Sequence, residues 1–189
     1  MNTKTRATVA DLYAVEGKAE LVDGELVPMC ATGFAPAYAA GRIFGSLQRY
    51  EDEIGGGVAL PDNTGFLVDL PRRQSFSPDV AFYTGPATGM KFLNGAPVFA
   101  VEVRSDGDYG PAAERALAAK RADYFAAGTA VVWDVDLLSP VVVRVYRAAT
   151  PDAPVIYRRG EQADSEPAVP GWTMPVAILF RRINPTTGD

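Results

Sequence analysis

Apolar residues recur along the chain in two rhythms, one of helical spacing and one of alternating or continuous runs. Val9, Leu12, Tyr13 and Val15 space as one face of a short helix, which Glu16-Gly17 stops. Lys18 to Met29 reads as a hairpin: Ala19 to Val22 and Glu25 to Pro28 flank Asp23-Gly24, a dipeptide whose backbone freedom suits a tight β-turn. Ala39, Ala40, Ile43, Phe44, Leu47 and Tyr50 then mark a longer helix from Pro36 to Ile54, ended by Gly55-Gly56-Gly57. Val58 to Leu60 and Gly65 to Leu70, separated by the turn-rich Pro61-Asp62-Asn63-Thr64, predict a second hairpin.

The second half turns on the apolar run Val98 to Val103, bounded by Pro97 and Gly107, which predicts a strand buried on both faces. A strand from Val80 precedes it, and Gly85 to Ala96 between them reads as a loop. A helix follows from Pro111, a residue suited to a first helical position, and ends at Gly128. Ala130 to Val135 and Val141 to Tyr146 predict another hairpin, its first run central in the sheet. Val155 to Tyr157 and the closing stretch Val169 to Phe180 read as edge structure. The pattern as a whole predicts an α/β (α+β) chain, one domain over residues 1–189.

Composition adds exclusions. With 48% hydrophobic and 22% charged residues, 189 residues suffice for one packed core. The formal net charge of −5 argues against a protein that coats nucleic acid by bulk electrostatics, although local arginines such as Arg72, Arg73, Arg158 and Arg159 can meet phosphates. There is no histidine, so Ser-His-Asp and Cys-His catalysis and histidine-ligated zinc are excluded. The one cysteine, Cys30, has no partner for an internal disulfide and reads as a small half-buried residue after a strand. Met1 to Val9 is polar, neither signal peptide nor membrane span, which points to a cytoplasmic protein.

Two residues break the apolar patterns. Glu102 puts a carboxylate inside the buried run, at a cost of several kcal/mol unless a cation, a metal or hydrogen bonds compensate. Lys120 sits mid-stripe on the helix face made by Ala113, Ala116, Leu117, Tyr124 and Ala127. It either snorkels to the edge or points into the same cleft as Glu102, and the two would equally make a structural ion pair. Asp79 opens the Val80 strand behind Pro78, whose fixed φ would aim the carboxylate reproducibly; Pro-Asp is also a common turn dipeptide. Glu20 is either an exposed strand position or a site residue. If the two strands are neighbours, Asp79, Glu102 and Lys120 converge. Two inward carboxylates repel unless a cation such as Mg²⁺ joins them, and such an ion can activate water towards a phosphate.

Glu20-Leu21-Val22-Asp23-Gly24-Glu25-Leu26-Val27, Ser77-Pro78-Asp79-Val80, Val101-Glu102-Val103-Arg104-Ser105, Lys120 with Tyr124 and Gly128, Val132-Trp133-Asp134-Val135 and Val145-Tyr146-Arg147 occur in an order that resembles the Uma2 family of bacterial restriction endonucleases, from about Ala19 to Phe180. The resemblance implies a restriction-endonuclease-like mixed β-sheet flanked by helices, with N-terminal β-hairpins. It also implies a PD-(D/E)xK-type site and hydrolysis of DNA phosphodiester bonds with Mg²⁺ or Mn²⁺, with a homodimer as one expected assembly. On it, Asp79 and Glu102 are metal ligands, Val103 lends its backbone carbonyl, Lys120 is the catalytic lysine and Glu20 a further acid. The superfamily's usual lysine position two after the glutamate is Arg104 here, and Tyr38 stands near where the family commonly has a histidine. The alternative is a catalytically inactive nuclease-fold binding or assembly module, in which Glu102 and Lys120 are a structural pair.

Overall fold

The computed structural model describes residues 6–183; the N-terminal stretch Met1 to Thr5, part of the segment read as having no signal peptide, lies outside the described residues. Along the chain come α1 (Val9–Ala14), β1 (Ala19–Val22), β2 (Glu25–Pro28), α2 (Phe34–Ile54), β3 (Val58–Pro61), β4 (Phe66–Leu67), β5 (Ser75–Phe76), β6 (Val80–Tyr83), β7 (Leu93–Asn94) and β8 (Phe99–Val103). They are followed by α3 (Pro111–Ala126), β9 (Val131–Val135), β10 (Val143–Arg147), β11 (Thr150–Tyr157), β12 (Gln162–Asp164), β13 (Thr173–Pro175) and a 3₁₀ turn, Val176–Phe180. Thr8 caps α1 through a reciprocal pair of hydrogen bonds with Asp11, which satisfies backbone donors that the helix itself cannot.

Six strands make the main sheet in the order β11-β10-β9-β8-β6-β3. Only β8 and β9 run parallel, because α3 carries the chain back over the sheet between them. Alternation along the inner strands decides what faces where. Phe99, Val101 and Val103 of β8, with Val80 and Phe82 of β6, pack beneath Ala39, Ala40, Ile43 and Leu47 of α2. Ala81, Tyr83, Ala100 and Val132 point to the opposite face, where they meet Phe66, Phe76 and Tyr124 of α3. Residues 79 and 102 have the parity of this second face. The antiparallel register pairs Val80 with Val101, so the two carboxylates stand side by side where β6 and β8 meet the cleft.

The first hairpin is as predicted: Asp23 and Gly24 both adopt positive φ, 53° and 77°, as the tight turn requires. Four expectations are corrected. The predicted second hairpin does not form, since β3 pairs with β6 in the main sheet while β4 pairs with β5 and β7 in a separate three-stranded sheet. The loop expected over Gly85 to Ala96 contributes β7 to that small sheet. The closing stretch is core rather than edge: Trp172, Met174, Val176 and Leu179 are buried, and the Trp172 ring lies 5.2 Å from that of Trp133. Cys30 is exposed, because β2 carries it past the small hairpin onto the wall of a cleft.

Candidate active site

The centre begins with three elements that have little in common in sequence. Strand β8 supplies Glu102, the residue before β6 supplies Asp79, and α3 supplies Lys120; all three line one cleft of about 460 Å³. The Lys120 ammonium lies 2.8 Å from Glu102 Oε1 and 2.9 Å from Glu20 Oε1, so it bridges the two glutamates instead of snorkelling away. Tyr124, one helical turn further on, donates its hydroxyl to Glu102 Oε1 at 2.7 Å while its ring stacks on Phe76 at 4.0 Å. Asp79 is fixed by a different device: the Val103 amide donates to its Oδ2 at 2.7 Å. Its other oxygen, Oδ1, lies 3.7 Å from the ammonium of Lys18, which also pairs with Asp62.

Glu20 sits beneath this group. Strand β1 is joined to the small sheet through the Leu21 amide on Ser75 Oγ and the Gln74 amide on the Leu21 carbonyl, which turns Glu20 inward. There it accepts from the Ser77 amide at 2.9 Å and from Arg73 at 2.5 Å, and Arg73 in turn meets Asp123 at 2.9 Å. Glu20 is buried, so it is not the exposed strand position that the sequence left open. Arg73, read from sequence as free to meet phosphates, is instead consumed as a buried counter-ion and only 6% exposed.

Electrostatics separates the two glutamates. Burial opposes ionisation of Glu20, but Lys120, Arg73 and the Ser77 amide override it and hold its carboxyl below the ordinary value. Glu102 has only a share of Lys120 and faces Asp79 and Glu20, so burial and like-charge repulsion push it up to about 7. Asp79 is raised as well, chiefly by burial. Lys120 is disfavoured as an ion by burial, yet its two carboxylate partners outweigh that and keep it firmly an ammonium. The cleft therefore holds a carboxylate pair short of positive charge.

The sequence matches the family described as "Uma2: Putative restriction endonuclease" over residues 9–177, most of its length. The chain belongs to the Uma2 family. A crystal structure described as that of a putative nuclease from Anabaena variabilis superposes on this Uma2 chain with a TM-score of 0.71 at 13% identity, covering 92% of this chain and 97% of the other. That likeness shows the fold: a mixed sheet with flanking helices shared with a nuclease-like protein. The comparison with curated proteins gave no match.

In this Uma2 chain, the side chains suited to a hard cation are Asp79 and Glu102, both oxygen donors on the cleft wall. Among the described residues no three acidic, cysteine or histidine side chains form a cage for a metal. Arg104, where the resemblance places the usual lysine position, also lines the cleft, but its guanidinium is taken up by other partners. It forks onto Asp134, with bonds of 2.7 Å to each carboxylate oxygen, and onto Glu114 at the start of α3. Sequence reasoning missed Lys18 and Asp123 and gave Arg73 a different role. Lys18 stands two residues before Glu20 and so shares its side of the extended chain, a signal that could have found it.

Proposed function

We propose that this protein is a metal-dependent endonuclease that hydrolyses DNA phosphodiester bonds at the Asp79–Glu102–Lys120 centre. The observation that carries the reading is the pairing of two cleft-facing carboxylates with too little positive charge between them, beside a lysine buried on a helix face. Asp79 and Glu102, with the Val103 carbonyl, are the groups that would hold Mg²⁺ or Mn²⁺. When bound, such an ion supplies Lewis acidity: it offsets charge on the phosphate and makes water a better nucleophile at neutral pH.

The chain's own residues do the rest. Lys120 stays charged, so it acts as a hydrogen-bond donor that orients the attacking water or meets charge growing on the phosphate, and does not accept a proton. Glu20 and Tyr124 are positioning groups: Glu20 shares the Lys120 ammonium and Tyr124 holds the Glu102 carboxylate. Arg73 and Asp123 keep Glu20 in place from behind.

The test is incubation with supercoiled plasmid and with a circular single strand, in Mg²⁺ or Mn²⁺. The reading expects strand cleavage that falls by at least about a hundredfold in Asp79→Ala and Lys120→Ala. Cleavage undiminished in these variants would rule out this centre. A second reading, a catalytically inactive binding or assembly module, draws on the completeness of the Glu20–Arg73–Asp123–Lys120 network, in which every charge already has a partner. It expects no cleavage, no ion uptake and strong destabilisation by Glu102→Ala.

A further inference from the structure

The centre does not stand alone in its cleft. A pocket of about 180 Å³ opens beside Asp79, walled by Ala37, Ala40 and Phe44 of α2, and a second of about 390 Å³ opens beyond Arg104, walled by Tyr109, Leu137 and Leu138. Thr32, in the connection from β2 to α2, lines all three spaces. Asp62 and Asp79 are shared with the first pocket, and Arg104 and Ser105 with the second. The shared lining joins them into one groove, in which the central cleft carries both acids and cations and the two adjoining pockets are walled largely by apolar side chains.

The groove's cations are all spoken for. Lys18 is held by Asp62, Arg73 by Glu20 and Asp123, Arg104 by Asp134 and Glu114, and Lys120 by Glu20 and Glu102. Phosphates call for cations in a duplex and in a single strand alike, so with these cations paired and a net charge of −5 it is the apolar lining that separates the two forms. A duplex hides the faces of its bases in the stack and offers nothing to apolar walls. An unpaired strand does the opposite: its bases splay, and each presents a flat face to aromatic or aliphatic side chains.

We infer that the groove takes single-stranded DNA, with the nucleotides on either side of the attacked phosphate seated against Phe44 in one flank and against Tyr109 and Leu138 in the other. This rests on the reading above that the centre hydrolyses DNA. Binding along the strand then comes from base and sugar contacts.

The experiment compares short fluorescent oligonucleotides of one sequence, as single strand and as duplex, by anisotropy with the metal chelated and then by cleavage with Mn²⁺. The single strand is expected to bind on the order of tenfold tighter than the duplex, and Phe44→Ala or Leu138→Ser to remove most of that preference. Leu138 is 77% exposed, so its replacement tests the groove without disturbing the core. Equal or tighter duplex binding, or no binding of either form, overturns the inference. Cleavage of duplex faster than single strand overturns it too and leaves the nuclease reading standing. Preferential single-strand binding without any cleavage upholds the groove's occupant and removes the chemistry.

Discussion

Glu102 and Lys120 announce themselves because each is a charge at a position where the surrounding pattern demands an apolar residue. Arg73 and Asp123 give no such signal. Their meaning lies in a partner 50 residues away, and a basic loop next to Arg72 reads as surface. The difference is measurable. Arg73→Met leaves Glu20 and Asp123 buried without their cation and should cost about 3–5 kcal/mol in urea unfolding. Arg72→Ala, whose pair with Asp23 is more than half exposed on both sides, should cost about 0–1 kcal/mol.

Glu102 makes a second prediction at the same scale. Its carboxyl ionises near 7 in the folded chain and near 4.5 when unfolded, so between these values the folded state binds more protons. Without divalent ions, stability contributed by the neutral form is present below pH 4.5 and is lost as pH rises through about 7, on the order of 3 kcal/mol in all. Glu102→Gln should therefore gain stability relative to the parent across that window when both are unfolded in urea with a chelator. Parallel pH profiles would show that the carboxyl is not perturbed.

Among elements, those fixed by local chemistry are legible and those fixed by remote pairing are not. Asp23-Gly24 sets the β1–β2 turn by itself, and Pro111 with Gly128 brackets α3. Strand β3 is visible as a strand, but its partner is β6, about twenty residues on, and the turn residues after it lead to another sheet. The stretch Val169 to Phe180 departs from its expected edge position for a related reason: Trp172, Met174 and Leu179 lie in segments too short to show a period, yet they close the core beside Trp133 and Phe99. Trp172→Ala should accordingly cost about 3–5 kcal/mol by thermal or urea unfolding, where a true edge residue would cost under about 1.

Over the whole molecule, the sheet has two unlike faces. One is a continuous apolar layer under α2, and the other trades part of its packing for buried charge at the junction of β6, β8 and α3. Both faces bury apolar side chains, and the proposed chemistry sits on the second. None of the described helices is long and apolar enough to cross a membrane.

The nuclease and scaffold readings part over whether the second face is completed by an ion or already complete. Calorimetric titration of Mn²⁺ at pH 8 into the parent, Asp79→Asn and Glu102→Gln tests this most directly. We predict saturable uptake by the parent, lost in both variants while each remains folded, and weakening in the parent as pH falls below about 7 and Glu102 takes up its proton. No uptake by the parent, or equal uptake by all three, would contradict a metal centre built on Asp79 and Glu102.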